Sequence, residues 1–204
     1  MIKLKNLSEA QLDEISHQIA DSFYEHSYNK NDKGLRMFIR TRENMFTYMN
    51  AIVRAAYKTG LLYTTSERHE GYVTLSGDGF PKIGLTDGLK MISAEKKALG
   101  GFICMIYFVK ACFSDGGMIE SRMKKDKRKY IRIEMFVVRR EYQKQGYMKK
   151  MLDDVFRTAR HRGVPVILET DDRDKCSRYV HLGMKLDRVR NCGNGLYMYD
   201  LIKE

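Results

Sequence analysis

The strongest constraint in this sequence is a strand–helix–strand run in its last third. YIRIEMFVV, residues 130–138, alternates with the two-residue period of a strand. Residues 147–162 then carry Met148, Met151, Leu152, Val155, Phe156 and Ala159 on one helical face. Gly163 ends that helix and Pro165 blocks its continuation. VPVILET follows as a nearly unbroken apolar run, as in a strand covered on both faces. Elements in this order close a right-handed crossover and lay the two strands parallel. Ligands of such units sit at the carboxyl ends of the strands, where this chain places Q-K-Q-G, residues 143–146.

The remaining pattern builds around that unit. MIKLKNL reads as a first strand. Ser8 and Gln11 form a capping box ahead of Leu12, Ile15, Ile19 and Phe23 at helical spacing. Residues 29–34 are a polar break. A second helix runs from Thr41 to Lys58 with Gly60 as its cap. LLYTTSE and GYVTLSG read as strands joined by a short turn. Helical patterns fit residues 87–98 and 102–114, and Gly116 and Gly117 break the second. The apolar run GFICMIYFVKACF, residues 101–113, is too short to span a bilayer, contains Lys110, and reads as a buried helix. SRMKKDKRK, residues 121–129, reads as a basic, solvated loop. Residues 171–182 form a short helix, and MKLDRVR and GLYMYDLI two closing strands around an NCGNG turn. The 204 residues fit one domain, with residues 81–129 as a helical insertion within it.

Composition limits the partners. A formal net charge of +11 favours anions: a phosphorylated cofactor, nucleic acid or an anionic surface. Charge alone does not choose among them. The four cysteines form no C-x-x-C pair and the five histidines no ligand spacing, so no metal site is expected. The cysteines read as reduced thiols of a cytoplasmic protein. The N-terminus lacks the apolar core of a signal peptide, and no membrane partner is expected.

A glycine turn that opens a helix aims several unpaired N–H groups at one point, and the helix dipole adds positive potential there. Gln143, Lys144, Gln145, Gly146, Tyr147 and Met148 make such a turn, with Arg139, Arg140, Lys149 and Lys150 beside it. It is a candidate phosphate site.

The segment V-V-R-R-E-Y-Q-K-Q-G-Y-M-K-K-M-L resembles the acyl-CoA-binding stretch of the GNAT superfamily of N-acetyltransferases, whose signature is Q/R-x-x-G-x-G/A. Gln143 and Gly146 match it; Met148 stands where glycine or alanine is usual. R-Y-V-H-L-G-M, residues 178–184, is similar to the family's helix-to-strand stretch through Tyr179, Gly183 and Met184. Asp172 occupies a position where the family often has asparagine. The resemblance covers about a third of the chain. It implies an α/β fold: a mixed, mostly antiparallel twisted sheet with a central, splayed parallel strand pair and flanking helices.

The same resemblance implies a chemistry, the transfer of an acetyl group from acetyl-CoA to a primary amine, more readily that of a small molecule than of a protein. Phe136, Val137 and Val138 would pair with the pantetheine arm, and the backbone near Val137 would polarise the thioester carbonyl. The pyrophosphate would lie on Gln143 to Met148, and Asp172 would sit at a cofactor-contact position. Glu134 is the candidate general base and Tyr179 the candidate general acid. Alternation would put Glu134 on one strand face with Phe136 and Val138, opposite Ile133 and Met135. Two readings of Glu134 stay open, a base or a structural partner of Arg132. Cys176, one turn before Tyr179, offers a covalent route that direct transfer does not need. Two rivals stand beside the enzyme: a basic nucleic-acid-binding module using residues 121–129 with Tyr130 and Arg132, and a CoA-binding fold without catalysis. A homodimer is one assembly open to such a chain.

Overall fold

The structure is a computed structural model that describes residues 1–28 and 34–204. The polar break expected at residues 29–34 therefore lies, except for Gly34, outside the described residues. In chain order the elements are β1 (Ile2–Lys3), α1 (Glu9–Tyr24), α2 (Arg42–Thr59), β2 (Leu62–Thr64) and β3 (Gly71–Gly77). There follow α3 (Leu85–Ala98), α4 (Phe102–Cys112), α5 (Ile119–Lys125) and β4 (Ile131–Val138). The chain closes with α6 (Tyr147–Arg162), β5 (Val166–Thr170), α7 (Arg173–His181), β6 (Lys185–Asn191) and β7 (Tyr197–Lys203).

The strands form one sheet in the order β1-β2-β3-β4-β5-β7-β6. Every neighbouring pair is antiparallel except β4 and β5, which run parallel through the α6 crossover. This is the mixed, mostly antiparallel arrangement expected. Local signals account for the helix boundaries. Ser8 caps α1 with a complete capping box, an arrangement worth about 1 kcal/mol. Gly60 and Gly163, both left-handed, close α2 and α6.

Two apolar layers sandwich the sheet. Ile15, Ile19, Met49, Val53 and Tyr72 pack on the face that α1 and α2 cover. Leu152, Val155, Val166 and Leu168 pack on the face that α6 covers. Strand β4 serves both. Its register against β3 shifts between Thr74 and Leu75: Thr74 lies opposite Met135, but Leu75 lies opposite Ile133. Glu134 has no residue opposite it. A bulge of this kind exchanges the faces of a strand beyond it. Ile131 and Ile133 accordingly join the α6 layer, while Met135 and Val137 join the α1–α2 layer. Phe136 and Val138 now turn toward α6. The uninterrupted alternation expected for this strand is thus corrected, and Glu134 does not share a face with Phe136 and Val138.

Two further expectations change. The run at residues 101–113 is a helix but not a buried one: Phe102, Ile103, Ile106 and Tyr107 are exposed. Only Met105, Phe108, Ala111 and Cys112 turn inward, because one side of the helix is all that reaches the domain. The basic stretch at residues 121–129 is not wholly loop, since its first half belongs to α5. Ile119 and Met123, one turn apart, are buried and hold that turn down. MIKLKNL contributes only a two-residue strand. No helix among the described residues is long and apolar enough to cross a membrane.

Candidate active site

The pairing of β4 with β5 ends at Ile133 and Leu168. Beyond it β4 continues to Val138 and β5 to Thr170 with no ladder between them. The β5-facing edge of Phe136, Val137 and Val138 is left without a strand. Two adjoining cavities occupy the wedge between the two strands, of about 190 Å³ and about 1040 Å³, which share Glu134, Met135, Glu169 and Phe108 as lining. A third depression, of about 710 Å³ between α1, α2 and α3, shares no lining residue with them.

Glu134 stands at the bulge and its carboxylate is half-buried. Ser76 Oγ donates to its Oε1 at 2.5 Å, and Arg132 Nε lies 3.3 Å from its Oε2. Tyr179 comes from α7 and is almost fully buried. Its ring meets Phe136 edge-on at 6.1 Å, and its hydroxyl has no hydrogen-bond partner among the described residues. Burial, reinforced by Asp171 and Asp172, holds its phenol well above the ordinary tyrosine range, so it stays protonated. The two candidates line the same cavity. Thr74 Oγ1, buried and without a hydrogen-bond partner, belongs to its larger neighbour.

Glu169, Arg190 and Lys175, which the sequence reading passed over, make the floor together with Arg132. Glu169, at the carboxyl end of β5, accepts from Arg132 at 3.0 Å and from Arg190. Burial pushes its carboxyl up, although Arg132 and Arg190 pull the other way. Arg190 is fully buried and also donates to Asp200 at 3.0 Å and to the Cys112 carbonyl at 2.7 Å. Arg132 lies among three carboxylates, those of Glu120, Glu134 and Glu169. Lys175 of α7 enters the smaller cavity with its ammonium 5.6 Å from the Phe23 ring, and burial pushes its pKa down. The rule that ligands gather at carboxyl ends of parallel strands could have found Glu169. Nothing in the sequence pairs Arg190 with Asp200.

The anion-site residues sit at the open end of β4. Gln143, Lys144, Gln145 and Gly146 are exposed. Gln143 Nε2 folds back to the Val138 carbonyl at 3.2 Å and Gln145 Nε2 to that of Glu141 at 2.8 Å. Lys144 and Gly146 both have positive φ, 62° and 84°. No side chain caps the start of α6 at Tyr147 and Met148. The four orphan amides of a helix start need an acceptor, and here they are open to one.

Asp172 stands elsewhere, as the cap of α7. Its Oδ1 accepts from the amides of Asp174 and Lys175, and its Oδ2 is held by His26 Nε2. Burial pushes this carboxyl up, but those bonds outweigh it and keep it below the usual carboxylate range. The neighbouring Asp171 accepts from Tyr28 Oη at 3.0 Å and from the Leu35 amide at 2.8 Å. Together they tie the α1–α2 connection to the rim of the cavity. Cys176 is buried, and burial pushes its thiol up, which disfavours the thiolate that a covalent route would need.

Residues 102–184 match the model of the acetyltransferase (GNAT) family. No curated protein matches the sequence. Among solved structures, the chain is similar to the C-terminal condensation domain of Ebony in complex with beta-alanyl-dopamine. That alignment has 12% identity and a TM-score of 0.60, over 97% of this chain and 96% of that one. The chain is also similar to arylalkylamine N-acetyltransferase 2 from Aedes aegypti, at 10% identity and TM-score 0.53, over 98% and 96%. An N-acetyltransferase from Staphylococcus aureus Mu50 aligns at 16% identity and TM-score 0.52, over 94% and 96%. At these identities the likeness is one of fold.

Proposed function

We propose, from the premise that the chain belongs to the GNAT superfamily of acetyltransferases, that it transfers an acetyl group from acetyl-CoA to a primary amine of a small molecule. The observation that carries this reading is that Glu134 and Tyr179 line one cavity, in the wedge where β4 and β5 part.

The residues fit the carrier. The uncapped start of α6, with Gly146 φ at 84°, leaves amides open to a diphosphate. The free edge of Phe136, Val137 and Val138 can pair with the amides of an extended arm. Asp172 would join them only if His26 gave way. Bound acetyl-CoA supplies an activated thioester carbonyl at the wedge.

The chain's own residues handle the protons. A primary alkylamine arrives as an ammonium ion and must lose a proton before it attacks. Glu134, held by Ser76, takes that proton directly or through one water. Arg132, fixed by Glu120 and Glu169, lies 3.3 Å from Glu134 Oε2 and holds the carboxylate in place. As the C–N bond forms and the C–S bond breaks, Tyr179 gives its proton to the departing sulfur, and the second proton shed by the new amide nitrogen returns through water to Tyr179. Glu95, which makes no ion pair among the described residues, and the rings of Phe23, Tyr48 and Phe108 suit a cation that carries an apolar arm.

The nucleic-acid reading draws less support. Arg122 pairs with Asp187 and Asp200, Lys124 with Glu120, Arg128 with Glu204 and Lys129 with Asp78. Those charges of the basic stretch are already answered within the chain. The test is thiol release from acetyl-CoA across a panel of primary amines, beside the thermal shift that acetyl-CoA gives. A shift without release for any amine supports the non-catalytic reading; no shift at all defeats both.

A further inference from the structure

We propose that the outward face of α4, with the adjoining face of α3, docks the protein on an anionic membrane surface. Helix α4 offers an apolar side to solvent. Phe102, Ile103, Ile106 and Tyr107 recur at helical spacing and are exposed, Ile103 by 70% and Tyr107 by 65%. Its opposite side is fixed to the domain, where the Phe108 ring meets Phe38 edge-on at 5.1 Å. Leu85, Leu89 and Ile92 lie one turn apart on α3 and are likewise exposed, Leu85 by 81%. Apolar side chains gathered this densely on a surface mark a binding face.

Charge selects the occupant. Lys90, Lys96, Lys97 and Lys110 are exposed across the same two helices, and Lys82 is exposed just ahead of α3. None of them makes an ion pair among the described residues. The acids of this segment do not answer them: Asp87 is held by Lys58 at 2.8 Å, and Glu95 turns into the large cavity. An apolar strip rimmed by lysines complements an anionic lipid surface, with the lysines at the headgroups and the rings and branched chains among the upper acyl chains. A second copy of this chain fits less well, because a two-fold contact would press the lysine rims of both copies together. An 11-residue helix cannot span the bilayer, so the contact is with one leaflet.

The face also reaches the proposed acceptor site. Val109 and Phe113 are exposed and line the large cavity. Docked in this way, the protein turns the mouth of that cavity toward the lipid interface.

The test is co-sedimentation of the full chain with phosphatidylcholine vesicles, with and without phosphatidylserine. Wild type should pellet with the phosphatidylserine vesicles and remain in the supernatant with phosphatidylcholine alone. The exposed pair Ile103→Asp and Ile106→Asp should weaken partition at least about tenfold. Lys96→Gln with Lys97→Gln should do the same by removing rim charge. Both variants should keep the wild-type melting curve. The readout needs no catalysis, so it stands apart from the acetyltransferase reading. Failure of wild type to pellet with phosphatidylserine vesicles, or equal pelleting with both lipids, overturns the proposal. So does wild-type partition by the lysine variant, or a dimer in sedimentation that the isoleucine variant splits while no vesicle is bound.

Discussion

Ser76 Oγ donates to Glu134 Oε1 across the slip in register between β3 and β4, and this bond points the carboxylate into the wedge beside β5. The bulge leaves Glu134 with no cross-strand partner, so Ser76 and Arg132 set its direction. Replacing Glu134 with glutamine should keep the bond from Ser76 in a flipped amide and remove the proton acceptor. We expect kcat to fall about 100-fold with KM nearly unchanged. Ser76→Ala should cost only a few-fold in kcat. Steady-state kinetics on one amine checks both, and equal losses in the two variants would assign Glu134 a structural role.

Tyr179 tests the acid. Its hydroxyl has no partner among the described residues, so Tyr179→Phe leaves no buried group unsatisfied. Its effect on stability should stay within about 0.5 kcal/mol. The rate should drop roughly 10- to 100-fold. Because burial raises this phenol above its ordinary 10.0, it should impose no alkaline fall on the wild-type pH–rate profile below that pH.

Gly146 adopts φ 84°, a conformation that L side chains resist, although a Cβ there would touch nothing within 4 Å. The substitution Gly146→Ala therefore acts through the backbone alone, at about 1–2 kcal/mol. Relaxing that strain would move the open amides of α6. The thermal shift given by acetyl-CoA should shrink, as calorimetry would show.

Arg190 is the buried cation most tightly built into the fold. Arg190→Met would remove the counter-ion that Glu169 and Asp200 share, leaving Glu169 to Arg132 and Asp200 to Arg122. A loss of about 3–5 kcal/mol is expected from urea unfolding. It should be partly recovered by adding Asp200→Asn.

Glu70 gives a pH signature. Burial alone would push its carboxyl up, but hydrogen bonds from Thr65 and Ser66 outweigh that and hold it at about 2, against an ordinary 4.5. A group depressed on folding contributes its stability above the unfolded value and loses it as pH falls through the folded one. The stability gap between wild type and Glu70→Gln should be full at pH 7. It should close progressively between pH 4.5 and about 2.

The crossover was legible because two periods meet there: helical spacing from Met148 to Ala159, then the apolar run of β5. The bulge was not. After Glu134 the strand reads M-F-V-V, apolar at each position, and a two-residue pattern cannot report its register when both faces are apolar. The exposure of α4 was hidden for a similar reason, since an apolar run does not say what covers it. The Arg190–Asp200 pair joins β6 to β7 across a hairpin, and only the folded register brings the two together. Gly146 was visible as a glycine turn that opens a helix, whereas Tyr179 stood out only through the resemblance of R-Y-V-H-L-G-M to the family's helix-to-strand stretch.

The slip in β4 makes one strand a shared beam between two rooms. Upstream of Glu134, Ile131 and Ile133 rest on the crossover helix; downstream, Met135 and Val137 rest on the first two helices while Phe136 and Val138 face the crossover helix. A repacking in either room therefore tugs on the hinge that carries the carboxylate. Deleting one residue at that hinge would mend the ladder and swing the acid out of the wedge, leaving a tidier sheet with nothing to accept the proton.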